Sequence, residues 1–191
     1  MKKEDIITLP NPRLRERSKK VQIITPEIEQ LIEDMISVSL DWEDSRPHEI
    51  SAALAAAQIN RPERVIIIRN NLDDKSVREF TALINPEIIK FEGEIIEDYE
   101  GCLSVPNSIY GMIPRHSKIK IKAMDIKGNK VRIKADGFLA RILQHEIDHT
   151  NGIVFIDHIK NNENAFYKLN KKGELKPLNY DKDIRENSIL W

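Results

Sequence analysis

The sequence predicts an α+β fold in which short, mostly antiparallel strands lie between two helices. Apolar residues recur at helical spacing near residue 30 and again near residue 145. The segment between these repeats holds several short β-branched or alternating runs that end in polar or turn-forming residues. A helix, a run of strands and a second helix, in this order, favour α+β over alternating βαβ units.

The first helix is predicted to begin at Thr25 and to end between Leu40 and Trp42. Thr25-Pro26-Glu27 is typical of a helix start: a capping hydroxyl, a proline in the first turn and an acid near the positive end of the helix dipole. One apolar stripe follows, formed by Ile28, Leu31, Ile32, Met35 and Ile36. We therefore expect an amphipathic N-terminal helix.

The middle of the chain is predicted to form strands. The expected strands are residues 64–69, 82–84, 88–97, 118–123 and 131–135. We expect a break at Glu92-Gly93 in the third strand and a turn at Gly128-Asn129 before the last one.

The second helix is predicted to follow Asp136-Gly137 and to end at Asn151-Gly152. Its apolar repeat consists of Phe138, Ile142, Leu143 and Ile147. This repeat indicates that one face of the helix is buried.

The bulk composition excludes several classes of function. With 191 residues the chain is long enough for one domain with a core, and 30 basic residues against 31 acidic ones lack the basic excess of a nucleic-acid binder. No apolar run approaches the about 18–20 residues of a membrane span, and the first residues do not resemble a secretory signal. With a single cysteine, we expect a cytoplasmic protein that binds neither membranes nor nucleic acids directly.

Residues 144–149 read QHEIDH and contain the metal-binding pattern HExxH. On a helix, His145 and His149 share one face, so both imidazoles can bind the same ion. Glu146 cannot comfortably be a third ligand, but it can serve a metal-activated water as general base. Histidines on a polar surface helix are the alternative, which conflicts with the apolar repeat of this helix. We therefore expect the strands to pack around a central metal-binding helix.

A catalytic metal of this kind needs a third protein ligand. In the extended pattern HExxHxxGxxH the last histidine would fall at Phe155, so this pattern does not apply. A later carboxylate stays open as the ligand, from Glu163, Glu174 or Glu186. The remaining candidate is Cys102, whose thiolate would bind zinc at about 2.3 Å. Its alternative role is that of a small buried hydrophobe.

Three motifs in order make the sequence resemble the peptide deformylases. Residues 100–104 read EGCLS, residues 144–149 read QHEIDH, and residues 51–58 read SAALAAAQ where the family pattern is GxGxAAxQ. The opening LPNPRLRERSKKV and the segment NGIVFIDHI after the second helix are similar as well, so the resemblance covers residues 5–160. The cysteine and HExxH motifs together are far more specific than either motif alone.

The resemblance implies a metal-dependent enzyme that removes the formyl group from the N-terminal formyl-methionine of nascent polypeptides and releases formate. It implies one Fe²⁺ per chain, which Zn²⁺, Ni²⁺ or Co²⁺ can replace. The implied metal ligands are Cys102, His145 and His149. Glu146 is then the general base, and the Gln58 side-chain amide and the Leu103 backbone N–H donate to the developing oxyanion.

The resemblance also implies an extended peptide that adds as a strand beside residues 51–53. The candidate substrate-binding residues are Ser51, Ala52, Ala53, Gly101, Phe138, Arg141 and Ile142. Phe138 and Ile142 either line an apolar pocket for the methionine side chain or belong to the core. Arg141 lies on the metal-facing side of its helix and either borders this pocket or pairs with an acid.

Ser51 and Ala53 depart from the family pattern, which has glycine at both positions. If the glycine provides a positive φ, Ala53 is strained, and if it allows close backbone approach, Ala53 adds one methyl group.

Other polar residues carry expectations of their own. Arg115 matches the arginine that follows the family's proline, and we expect it to pair with Glu100. The histidines without ligand spacing are expected to be structural or solvated: His48, His116 and His158.

Residues 1–160 are expected to form a single catalytic domain, and residues 161–191 an extension whose structure the sequence does not define. Because family members act on chains leaving the ribosome, transient ribosome association is a further implied contact. Two other functions stay open. An HExxH metallopeptidase would need a carboxylate as third ligand and would keep its metal without Cys102. A catalytically impaired relative would bind N-terminal peptides without turnover.

Overall fold

The computed structural model describes residues 1–46, 49–170 and 172–186. Its helices and strands are α1 (Pro26–Asp44), β1 (Ala53–Ala55), β2 (Val65–Arg69), β3 (Phe80–Gly101), β4 (Ile109–Met124), β5 (Lys130–Asp136), α2 (Gly137–Thr150), β6 (Phe166–Leu169) and β7 (Leu175–Pro177). His48 and the last five residues of the tail lie outside the described part. Of the described helices, none combines the length and apolarity needed to cross a bilayer.

All seven strands belong to one sheet with the order β1-β2-β3-β4-β6-β7, and β5 pairs with β4 beside this path. Every pairing between these strands is antiparallel. The predicted α+β class with an antiparallel sheet is therefore confirmed. Strand β1 lies at one edge of the sheet, and this edge faces the candidate site described below.

The strands β3 and β4 are much longer than predicted, with 22 and 16 residues. The predicted strands 82–84 and 88–97 form one continuous β3, and its pairing with β4 shifts register at three places, the last between Glu92 and Ile95. Gly93 has a φ of +74°, and a Cβ there would lie 2.2 Å from the Ser117 hydroxyl oxygen. Such irregularities bend a strand without ending it. The expected break at Glu92-Gly93 is thus a bend.

Helix α1 packs its apolar stripe on the edge of the sheet that contains β1 and β2. The fully buried side chains Leu31, Met35 and Val38 belong to the same core cluster as Leu54 and Ile67 of the sheet. Burial of one such large side chain stabilises a fold by about 1.5–3 kcal/mol. This packing directs the last turn of α1 toward the candidate site.

Helix α2 lies against the sheet through the later part of its apolar repeat. Leu143 and Ile147 are buried in a cluster with Ile119 and Ile121 of β4. Phe138, the first residue of the repeat, is 57% exposed because it lies in the first turn of the helix at the mouth of a cavity. Of the two alternatives for Phe138, a place at the cavity applies and a place in the core does not.

The described part of the C-terminal segment packs onto the rest of the molecule. Strand β6 pairs with β4 through residues Ile109–Gly111. Phe166 and Ile184 are fully buried in a cluster that contains Ile113 and Phe155. The tail therefore shares a hydrophobic core with the segment that follows α2.

Candidate active site

Helix α2 brings His145 and His149 close to Cys102, which directly follows β3. The ligand atoms of these three residues all lie within 4.8 Å of one another, and the Cys102 Sγ lies 3.2 Å from the His149 Nε2. In the part of the chain that the structure describes, this is the one group of three such side chains able to hold an ion. The structure thus brings together the thiol and the two imidazoles that the sequence singles out.

Hydrogen-bond donors surround the sulfur of Cys102. The Ser104 backbone N–H and the Gln58 Nε2 both donate to the Sγ at 3.4 Å. The Gln58 side chain is almost fully buried, and its Oε1 accepts a hydrogen bond of 2.9 Å from the Ala55 N–H. The fixed amide also keeps its NH₂ group directed at the sulfur.

Glu100, two residues before the cysteine, holds the first imidazole in place. Its Oε2 lies 2.9 Å from the His145 Nδ1, which leaves the Nε2 for an ion. Arg115 donates to both oxygens at 2.9 and 3.1 Å, as expected, and Arg141 donates to the Oε1 at 2.8 Å. Burial would raise the pKa of Glu100, but the bonds from His145 and Arg115 hold it well below the usual value. Arg141 therefore pairs with an acid.

Sequence reasoning missed the part that two acids play around the ligands. Glu100 was expected only as a partner of Arg115, and Asp148 was not considered. The Asp148 Oδ2 accepts from the Arg115 Nη1 at 2.5 Å and lies 2.7 Å from the His158 Nε2. Their positions could have indicated this part, because Glu100 belongs to the EGCLS motif and Asp148 to the QHEIDH motif. His158 is part of this bonded network.

Glu146 is a buried carboxylate at the wall of the cavity that reaches Cys102 and His145. It is 5% exposed, and its Oε2 has no hydrogen-bond partner among the described residues. Burial raises the pKa of Glu146 to about 7. A carboxyl group with this pKa can both accept and return a proton near neutral pH.

The pKa values of the two imidazoles shift in opposite directions. Burial lowers the pKa of both rings, but the bonds of His145 to Cys102 and Glu100 outweigh burial and raise its pKa well above the usual value. For His149, burial and the neighbouring His145 keep the pKa well below the usual value. A neutral imidazole is the form that binds a metal ion.

One cavity of about 680 Å³ opens onto this cluster. Its lining includes Ala52, Ala53, Gln58, Gly101, Leu103, Phe138, Arg141, Ile142 and Glu146. Ile142 is 7% exposed and also packs in the α2 core, so it belongs to both. Ser51 is fully buried and is not among the described lining residues, so the structure does not bring this candidate substrate-binding residue to the cavity.

Ala53 adopts ordinary strand geometry. The described non-glycine residues with positive φ are Asn60, Asn85, Asn107 and Ser108. Ala53 is 5% exposed, and its methyl group packs in the cluster that contains Ile142. Replacing the family's glycine by Ala53 therefore adds a methyl group and does not strain the backbone.

The donor set fits a divalent transition metal. A thiolate with two imidazoles suits Zn²⁺ or Fe²⁺, and the unpartnered oxygen of Glu146 offers an acceptor to a water in the cavity. The later glutamates lie elsewhere: Glu163 pairs with Arg185 at 2.5 Å, and Glu174 pairs with Lys176 at 3.3 Å. The geometry therefore favours the cysteine as third ligand.

Comparison with known proteins decides the family. A family model described as polypeptide deformylase matches residues 3–165. The chain belongs to the polypeptide deformylase family. The peptide deformylase of Thermomicrobium roseum is 36% identical over 172 residues, which cover 88% of this chain and 93% of that protein.

Solved deformylase structures are similar to this chain as well. A peptide deformylase from Legionella pneumophila has 38% identity and a TM-score of 0.68 over 80% of this chain and 83% of that one. A Met-Ala-Ser-bound deformylase from Acinetobacter baumannii has 30% identity and a TM-score of 0.69 over 80% and 96%. The resemblance inferred from the three motifs is thereby confirmed, and the cluster agrees with the metal dependence of the deformylase family.

Proposed function

We propose that this chain is a metal-dependent hydrolase that removes the formyl group from the N-terminal formyl-methionine of nascent polypeptides and releases formate. The observation that carries the proposal is the convergence of one thiol and two imidazoles beside a buried carboxylate, at the end of a cavity. Family membership supports the same reaction. The relative from Acinetobacter baumannii that binds Met-Ala-Ser supports a methionyl peptide as occupant of the cavity.

Cys102, His145 and His149 are proposed to hold one divalent ion, which would activate a water and polarise the formyl oxygen. Fe²⁺ is the ion proposed for the cell, and Zn²⁺, Ni²⁺ or Co²⁺ can take its place, because availability decides between metals of similar affinity. The N–H donors of Gln58 and Ser104 lie 3.4 Å from the sulfur, so hydrogen bonds to it are available when it binds the ion.

Glu146 is proposed to take the proton of the attacking water and to return it to the departing amine. A carboxyl group with a pKa of about 7 is suited to both transfers. Glu146 lines the cavity, and its Oε2 has no hydrogen-bond partner among the described residues, so this oxygen is proposed to accept from the water.

Gln58 and Leu103 are proposed to stabilise the oxyanion that forms at the formyl carbon. The Gln58 Oε1 is fixed by the Ala55 N–H, and the NH₂ group, which donates to the Cys102 Sγ and the Ser104 Oγ, would turn one of its N–H groups to the oxyanion. The Leu103 backbone follows the sulfur ligand directly and lines the same cavity.

The peptide is proposed to lie extended between the edge of β1 and the end of β3, beside Ala52, Ala53 and Gly101. A side chain at Gly101 would meet the Tyr110 ring at 2.6 Å, so this close approach of the ring requires glycine at the strand end. Phe138 and Ile142 are proposed as apolar walls for the methionine side chain. Arg141 lines the same cavity, where its guanidinium is held by its ion pair with Glu100.

The catalytic residues are proposed to lie in a single domain over residues 1–160, with residues 161–191 as an extension whose described part packs on it. The reaction is proposed to take place in the cytoplasm, and transient contact with the ribosome is part of the same proposal.

The decisive experiment measures formate release from a formyl-methionyl peptide by protein loaded anaerobically with Fe²⁺ and, separately, with Zn²⁺ or Ni²⁺. We expect release by the loaded protein and none after chelation. The Cys102→Ala variant should lose both its bound metal and its activity. Retention of stoichiometric metal by this variant would instead support a peptidase with a carboxylate ligand. A fully metallated wild-type protein that releases no formate would support the binding protein without turnover.

A further inference from the structure

The edge of strand β1 presents one residue's backbone to the cavity. The Arg69 N–H donates to the Ala52 carbonyl at 2.9 Å, and Ala53 lies opposite Ile68 in the adjoining antiparallel register. Hydrogen-bonded and non-hydrogen-bonded pairs alternate along such a ladder. The N–H and C=O of Ala53 therefore point away from β2, toward the open edge. These two groups are available to pair with a bound peptide.

Ser51, two residues earlier, has its backbone groups already engaged. Its N–H donates to the Glu43 Oε2 at 2.9 Å, and its carbonyl accepts from the Arg69 Nε at 3.3 Å. Glu43 and Arg69 also form an ion pair through the Arg69 Nη2, and their side chains are 1% and 0% exposed. One buried pair of charges thus holds both polar backbone atoms of Ser51.

The two charged side chains come from separate elements that meet at this point. Glu43 lies in the last turn of α1, and Arg69 is the last residue of β2. The Arg69 guanidinium also donates to the Val77 carbonyl and lies 5.2 Å from the centre of the Phe80 ring. The arginine is therefore held from several sides, and so is the backbone to which it donates.

Stability alone does not account for this buried pair. Taking two charges out of water costs free energy that their attraction does not reliably return. Here the cost is not fully offset, because the Glu43 Oε1 has no hydrogen-bond partner among the described residues. What the pair does provide is a fixed position for Ser51, and through it for the two residues that follow.

We propose that Glu43 and Arg69 are positioning residues for the substrate peptide: by holding both backbone groups of Ser51, they keep the N–H and C=O of Ala53 in place for strand pairing. This inference rests on the proposed function. It also predicts that peptide pairing at this edge stops at Ser51, whose groups are occupied. The Glu43–Arg69 ion pair therefore strengthens binding only of a substrate whose backbone extends along β1.

The test compares an extended substrate, formyl-Met-Ala-Ser, with formylmethionine, which lacks the following peptide units. In Glu43→Gln we expect kcat/KM for the tripeptide to fall about tenfold, mainly through KM, since misplacing two backbone hydrogen bonds has about this effect. For formylmethionine kcat/KM should change less than twofold, and the metal content should stay at the wild-type value. A merely structural defect would lower kcat/KM for both substrates together.

Asp44→Asn is the matched control, because Asp44 is the next residue on the same helix and pairs with Arg78 at the surface. Asp44→Asn should leave kcat/KM for both substrates at the wild-type values. If Glu43→Gln does not fold, Arg69→Lys keeps the charge but removes the Nε donor, and the same loss of preference for the tripeptide is expected. An unchanged preference in the folded variant, or an equal loss in Asp44→Asn, would overturn the proposal.

Failure of the proposed function itself would be visible in the wild-type protein, which would then release no formate from either substrate. In that event the affinity for the peptide Met-Ala-Ser, measured by calorimetry on metal-loaded protein, replaces the kinetic comparison. An affinity about tenfold weaker in Glu43→Gln than in the wild type and Asp44→Asn would support the positioning role. Equal affinities would refute it.

Discussion

The proposed metal cluster and the proposed peptide-binding edge differ in how their geometry is held. At the metal cluster, the acting groups are side chains from two short motifs, and further motif residues such as Glu100 hold them. At the edge, the acting groups are backbone atoms of Ala53, held through Ser51 by charges from a helix end and a distant strand. A motif can therefore reveal the chemistry of a site while leaving its substrate contacts hidden.

The largest expected effect tests the chemistry at the metal cluster. Glu146→Gln removes the proton acceptor while keeping the size of the side chain, so we expect kcat to fall by about 10²–10⁴-fold. The metal content should stay unchanged, since the three proposed ligands remain. Formate release and metal analysis on the same preparation check both statements. A variant with near wild-type kcat would assign the base to another group.

A smaller loss is expected when an oxyanion donor is removed. Gln58→Ala should lower kcat by about 10²–10³-fold with little change in KM, because the donor acts mainly in the transition state. Ser104→Ala is the control, since its hydroxyl lies 3.3 Å from the same amide nitrogen. It should keep kcat within a few-fold of the wild type. An increase confined to KM in Gln58→Ala would show a role in substrate binding instead.

Glu100→Gln addresses the support behind the ligands. Loss of a charged partner that orients a ligating imidazole typically lowers metal affinity by about 10–100-fold. We expect this loss in a competition titration with a chelator, and activity should return at saturating metal. Affinity equal to the wild type would mean that Arg115 and Arg141 alone hold this part of the site.

The two regions also differ in how much of their geometry could be predicted from the sequence. The spacing of His145 and His149 and the apolar repeat of α2 predict a buried pair of imidazoles, because both depend on local helix geometry alone. The Cys102 motif adds the third donor. The role of Glu100 toward His145 depends on where a strand end meets a helix, which no local pattern records.

Residues at the edge were harder to predict because their sequence context is misleading. Glu43 stands in the polar stretch DWEDSR, which resembles an exposed helix end, and Arg69 was interpreted as the polar boundary of a buried strand. Both are buried because the fold brings them together, although they are 26 positions apart in the sequence. A single sequence contains no signal for such a pairing, since its energy arises only after α1 has packed on β2.

The smallest expected effect tests Ala53, where the family pattern has glycine. If this position needed a positive φ, Ala53→Gly would relieve strain and stabilise the protein. Since the residue has ordinary strand geometry and a buried methyl group, we expect the substitution to lower the free energy of unfolding by about 0.5–1 kcal/mol. The melting temperature should fall by about 1–4 °C for a chain of this length. Calorimetry on the metal-loaded wild type and variant decides the sign, and a higher melting temperature for Ala53→Gly would show that the edge is strained after all. A lower one would mean that the alanine stiffens the edge on which the peptide is proposed to pair.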